Sequence, residues 1–139
     1  MDREVPFTLV VGGHREDVID RVTQALKAEG FGVLTRIDID EAFKEKLGTD
    51  FRPYTILGAC NPALAHRALS ERAEVGLLLP CNVTVDESVD GRATVRIVDP
   101  IDMLIQGADE ADAGDELRAV AGEARERLAR VADALAAEP

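Results

Sequence analysis

Val83-Thr84-Val85-Asp86-Glu87-Ser88-Val89-Asp90-Gly91-Arg92-Ala93-Thr94-Val95-Arg96-Ile97 carries the sequence's clearest topological signal. Two runs alternate apolar and polar residues on either side of a turn, the pattern of an antiparallel hairpin. A two-residue loop at Asp90-Gly91 would set Val85 opposite Arg96 and mix core with solvent. A three-residue loop, Val89 to Gly91, pairs Val85 with Val95 and Val83 with Ile97, so both strands keep one apolar face. Gly91 then takes the left-handed position of a bulged turn. Two consecutive antiparallel strands rule out a doubly wound parallel sheet.

Upstream, Val75 to Val85 reads as one long strand, with Leu77, Leu79, Cys81, Val83 and Val85 on a common face and a break at Pro80, which cannot donate to a ladder. Val5 to Val11 is a further strand, closed by Gly12-Gly13. A helix from Arg15 to Glu29 carries Val18, Val22 and Leu26 at helical spacing. Gly30 stops it, with Phe31 folding back on Leu26. Phe31 to Ile39 alternates: Phe31, Val33, Thr35, Ile37 and Ile39 share one side, and Arg36 and Asp38 point away. Asp38 and Glu41 form a capping pair for a short helix from Asp40 to Leu47, whose buried side is Phe43 and Leu47. A strand from Tyr54 to Cys60 follows. Asn61-Pro62 then opens a helix that buries Leu64, Ala65, Ala68 and Leu69, because Asn caps well and Pro at the first helical position loses no bond.

Downstream, Asp99-Pro100 starts a short turn through Ile105. Residues 106–114 are an acidic loop. The last helix, Asp115 to Ala136, places Leu117, Val120, Ala121, Ala124, Leu128, Val131 and Leu135 on one stripe. The element order is β-α-β-α-β-α-β-β-α. The expected fold is α+β: a mainly antiparallel sheet with the long helices on one face.

At 139 residues the chain reads as a single domain, residues 1–139, and its 46% apolar content is enough for a core. Sixteen basic against 27 acidic residues leave a net charge of −11, which repels a phosphate backbone, and Trp is absent. No nucleic-acid partner is expected. No apolar run approaches the roughly 20 residues of a membrane span, so no membrane partner is expected either. The segment from Met1 to Phe7 is charged and contains Pro6, unlike an export signal. Two cysteines fit reduced thiols in the cytoplasm. Only three lysines, Lys27, Lys44 and Lys46, accompany many arginines and carboxylates. A GC-rich genome and a salt-adapted, halophilic cytoplasm both explain this surface.

Chemistry is concentrated at two Cys-Asn pairs. Cys60-Asn61 ends a strand at a helix start, and Cys81-Asn82 follows Pro80 in the next strand. A thiol at a helix N-terminus is biased toward thiolate, whereas a free cysteine is most often a small buried hydrophobe. Cys60, Asn61, Cys81 and Asn82 are the candidate ligand or thiol site, with Cys60 the more reactive and Cys81 the more buried. His14 and His66 supply no zinc-type spacing, so no metal is expected. Gly12-Gly13 lacks the phosphate-loop signatures. Asp109, Glu110, Asp112, Asp115 and Glu116 read as a solvated charge run.

Phe31-Gly32-Val33-Leu34, Phe51-Arg52-Pro53-Tyr54, Ile56 to Pro62, Leu78 to Val83 and Asp99-Pro100 together resemble the domain of unknown function 302 family, over about Val5 to Leu135. The resemblance implies a compact α+β unit of the TATA-binding-protein-like class, often homodimeric, and brings no catalytic residues. The expectation is a small, non-catalytic cytoplasmic domain without a cofactor, with a small-ligand or thiol site at Cys60 and Cys81. The alternatives are a cysteine-based redox or metal-handling protein and an interaction module using the C-terminal helix. A homodimer is expected from the family and from the long apolar stripe of the last helix.

Overall fold

A computed structural model describes residues 7–88, 90–106 and 114–137. The elements are β1 (Phe7–Gly12), α1 (Arg15–Ala28), β2 (Gly32–Asp38), α2 (Ile39–Leu47), β3 (Tyr54–Cys60), α3 (Pro62–Glu71), β4 (Cys81–Glu87), β5 (Arg92–Ile97) and α4 (Asp115–Ala137). A 3-10 turn spans Ala73–Leu77 and a π-helical turn spans Asp102–Gln106. The five strands form one sheet in the order β1-β5-β4-β3-β2, and every neighbouring pair is antiparallel. The α+β class and element order read from the sequence hold.

The hairpin adopts the expected register, with Val83 opposite Ile97 and Val85 opposite Val95. Gly91 sits at φ +78°, where a side chain would be strained. The same register continues outward, setting Val95 opposite Leu9 and Val83 opposite Leu57. One face therefore carries a continuous apolar layer of Val11, Ala93, Val95, Ile97, Val83, Val85, Leu57 and Ala59, each at most 4% exposed.

Helices α1 and α4 cover that layer. Helix α1 buries Val18, Ile19, Val22 and Leu26. Its end closes as expected: the Phe31 N–H donates to the Leu26 carbonyl and the Gly30 N–H to that of Lys27. Helix α4 buries all seven residues of its predicted stripe. That stripe is spent on the chain's own core. The face left to solvent carries ion pairs: Glu116 with Arg67 of α3 at 2.6 Å, Arg125 with Asp99 at 3.1 Å and Arg130 with Glu29 at 2.8 Å. Among the described residues, no helix covers the opposite, bare face of the sheet, where Val10 and Ile37 are exposed.

Several local expectations fail for identifiable reasons. The predicted strand from Val75 starts instead at Cys81, because Pro80 offers no N–H to extend the ladder. Leu77, expected in the core, lies in the 3-10 turn and is 88% exposed. Strand β2 has an irregularity between Val33 and Thr35. An extra residue in one strand exchanges the two faces beyond it. Val33 therefore faces the helices, whereas Ile37 is turned to the bare face and Arg36 and Asp38 to the helical side. Asp38 does precede α2, but its side chain makes no cap. It accepts instead from the Thr55 hydroxyl at 2.7 Å and from Arg36 Nε at 3.0 Å. Helix α2 buries none of its residues: Leu47 is exposed, and Phe43 packs edge-on against Phe51. Leu69 of α3 is also exposed. The first strand begins at Phe7, and its predicted start at Val5 lies outside the described residues, as do residues 107–113 of the acidic loop.

Candidate functional site

Strand β3 delivers Cys60 to the start of α3, and the Pro80 break delivers Cys81 to the start of β4. Ala59 is paired with Cys81 across the ladder, so the two cysteines fall on neighbouring strands at the same end of the sheet. Between them, Asn61 caps α3: the Leu64 N–H donates to its Oδ1 at 3.1 Å. The Asn61 side chain is buried against the turn between α1 and β2, where a Cβ on Gly30 would lie 2.9 Å from its Nδ2. The cap therefore fixes both the helix and the adjacent wall.

Cys60 and Cys81 line one pocket of about 30 Å³, bounded by Phe31, Leu64, Leu79, Leu104 and Val120 among others. That volume holds roughly one water-sized group. Among the described residues of the lining, Asn61 is the one polar side chain. Cys81 is buried and Cys60 half-buried, the ranking expected from their positions.

The electrostatics run against a thiolate. Burial pushes the Cys81 thiol up to about 11, and the neighbouring Cys60 sulfur adds to it. Burial raises Cys60 as well. At neutral pH both sulfurs carry their protons. The helix start does not activate Cys60, because the Asn61 carboxamide already takes an N–H of α3 and apolar walls leave the thiol poorly solvated.

Asn82 does not join the group. It pairs with Gly58 on the bare face and is exposed, one residue out of phase with Cys81. Of the four candidate residues, the fold gathers Cys60, Asn61 and Cys81 and sends Asn82 to the other side. The contribution of Phe31, Leu79 and Leu104 was missed. They look like ordinary core residues in sequence, and the fold brings them together from distant segments.

A family model for a domain of unknown function, DUF302, matches residues 7–135. The chain belongs to the DUF302 family. A crystal structure of an uncharacterized conserved DUF302 protein from Bacillus stearothermophilus is 34% identical, with 93% of this chain and 96% of that one covered at a TM-score of 0.78. No curated protein matches the chain. The DUF302 membership brings the fold without assigning chemistry, so the remaining candidates rest on geometry.

In this DUF302 domain, the glycine loop after β1 is occupied internally. The Gly13 N–H donates to the Gly91 carbonyl at 2.8 Å, and the Arg15 N–H at the start of α1 donates to the Glu87 carboxylate at 2.5 Å. His14 is exposed, 3.7 Å from Glu87. His66 is exposed on α3. Among the described residues, no three His, Cys, Asp or Glu side chains gather as a metal cage requires. No described helix is long and apolar enough to cross a membrane. Asp109, Glu110 and Asp112 lie outside the described residues, and Asp115 and Glu116 are exposed in the first turn of α4.

Proposed function

We propose that this DUF302 chain is a small cytoplasmic, non-catalytic domain that binds a ligand through the pocket at Cys60 and Cys81. The observation that carries the reading is the sharing of one apolar pocket by two thiols, with Asn61 the sole polar side chain among the described lining residues; burial favours the protonated form of both thiols. Such a lining favours a thin apolar group over a charged one. The pocket is narrow, so occupancy is read best through Cys60, its more accessible thiol. The test is the rate of iodoacetamide alkylation of Cys60 with and without dissolved argon, krypton and xenon, apolar probes small enough for so confined a site. Protection together with a rise in melting temperature supports the reading. Unchanged rates and melting across the series overturn it.

The proximity of the two thiols favours one second reading, a cysteine-based redox or metal-handling role. A Cys60–Cys81 disulfide formed under mild oxidant in the folded protein would bring that role forward. The interaction-module reading loses its main support, since the apolar stripe of α4 is buried.

A homodimer belongs to the same proposal. Its support is the edge strand β2, where Leu34 is 67% and Ile37 48% exposed beside unpaired ladder groups. Light scattering over a dilution series tests it: a 30 kDa species supports the dimer, and a 15 kDa species at high micromolar concentration contradicts it.

A further inference from the structure

The bare face of the sheet carries a charge arrangement unlike the rest of the molecule. On its strands, β5 places Arg92, Thr94 and Arg96 on this side, β4 places Asn82, Thr84 and Asp86, and β3 places Tyr54 and Ile56. Asp86 is the one carboxylate among these described strand residues, in a chain where carboxylates outnumber basic groups 27 to 16. It is also buried, at 7% exposure.

Two arginines converge on it. Arg52, just before β3, donates from Nε to Oδ1 at 2.6 Å and from Nη2 to Oδ2 at 3.2 Å. Arg96 donates from Nη1 to the same Oδ2 at 2.9 Å. A forked arginine by itself neutralises a carboxylate and fills its geometry. The second arginine leaves the trio with a net positive charge. Each guanidinium has five N–H donors, and only three of the ten are used on Asp86. Both side chains remain accessible, Arg52 at 49% and Arg96 at 40%. The Arg52 guanidinium lies 4.7 Å from the Phe51 ring centroid and 5.9 Å from that of Tyr54, which hold its plane in place.

We propose that Arg52 and Arg96 form a binding site for an oxyanion, the carboxylate or phosphate group of a small molecule. Asp86 is the positioning residue that holds the two guanidiniums side by side. The aromatic wall of Phe51 and Tyr54 flanks the site, so an anion carrying a flat ring gains stacking area that a bare anion lacks. The site is separate from the cysteine pocket and stands or falls independently of it.

The experiment is a titration of the isotopically labelled protein, at about 0.15 M KCl, with inorganic phosphate, acetate and benzoate in turn, following backbone and arginine side-chain NMR shifts. Saturable shifts centred on Tyr54, Asp86 and Arg96 are expected. Benzoate binding more tightly than acetate identifies a ring-bearing carboxylate as the ligand class, whereas phosphate exceeding both identifies a phosphate group. R96Q should weaken the preferred anion by about tenfold or more, the usual loss of a charge-assisted contact. Its fold is retained because Arg52 still pairs Asp86. R96K, keeping charge without the fork, should fall between the two. R130Q, on the far side of the molecule, should bind as the parent does. No saturable shift at the arginine pair up to about 20 mM of any anion, shifts confined to helix N-termini, or undiminished binding by folded R96Q would each overturn the proposal.

Discussion

Cys81 offers a perturbation whose cost follows from its surroundings. It is 6% exposed, starts β4 opposite Ala59, and lines an apolar pocket. Replacing it by Ser exchanges a sulfur that packs as a hydrophobe for a hydroxyl in a pocket where Asn61 is the one polar side chain among the described residues. Asn61 Oδ1 is already engaged by the Leu64 N–H. An unsatisfied buried hydroxyl costs about 1–3 kcal/mol. For a domain of this size, each kcal/mol moves the melting temperature by about 3–4 °C. C81S should therefore melt about 3–12 °C below the parent. C81A, which leaves a small cavity without a buried hydroxyl, should fall less. C60S, at a half-buried position, should change melting least. The same residue sets an alkaline limit. Its folded thiol value of about 11 lies above the ordinary 9.0, so the stability it contributes is intact below pH 9 and is lost as pH rises toward 11. C81A should flatten that limb. Calorimetry or circular-dichroism melting at pH 7, 9 and 10.5 gives both readings. A C81S protein within 1 °C of the parent, together with an unchanged alkaline limb in C81A, would refute the placement of Cys81 in an apolar wall.

Other perturbations are equally specific. G58A should destabilise the domain by about 1–3 kcal/mol, since a Cβ there collides with the Thr35 hydroxyl and lies 2.7 Å from Pro80 Cγ; chemical denaturation of the single mutant measures it. T84V should raise stability by about 1 kcal/mol, because the Thr84 hydroxyl is buried without a partner among the described residues and valine keeps the shape; the same denaturation assay reads the gain. Asp86 is held below the usual carboxylate range chiefly by its hydrogen bond from Arg52, so the stability it contributes is complete above the ordinary value of 3.8 and disappears as pH falls below it; D86N should remove that part of the acid limb in a pH-dependent melting series. With a charge of −11, the melting temperature should climb between about 0.05 M and 2 M KCl as self-repulsion is screened, and a flat curve would favour genome composition as the origin of the acidity.

The sheet and its register were legible wherever side-chain parity carried the information. Val83, Val85, Val95 and Ile97 admit one hairpin alignment that keeps an apolar face, and the helical stripe of α4 could be written down residue by residue. Parity failed where the backbone departs from it. Nothing in Gly32-Val33-Leu34-Thr35 announces the irregularity that turns Ile37 outward, and the apolar run before Pro80 fits a 3-10 turn as well as a strand. Helix α2 showed the right periodicity without a partner to bury its stripe. At the site, Cys60-Asn61-Pro62 was readable because cap and strand end are local signals. Asn82 was misplaced because adjacent residues in a strand face opposite ways. The Arg52–Asp86–Arg96 trio was invisible, since its members meet only once β3, β4 and β5 are paired.

The pH dependence of Cys60 alkylation in folded C81A, where a single thiol reports, distinguishes an apolar pocket from an activated thiolate. An apolar pocket holding protonated thiols predicts an inflection above the ordinary 9.0 and slow reaction at pH 7. An inflection below about pH 8, with rapid reaction at neutrality, would mean an activated thiolate at the start of α3 and would contradict the ligand-pocket account.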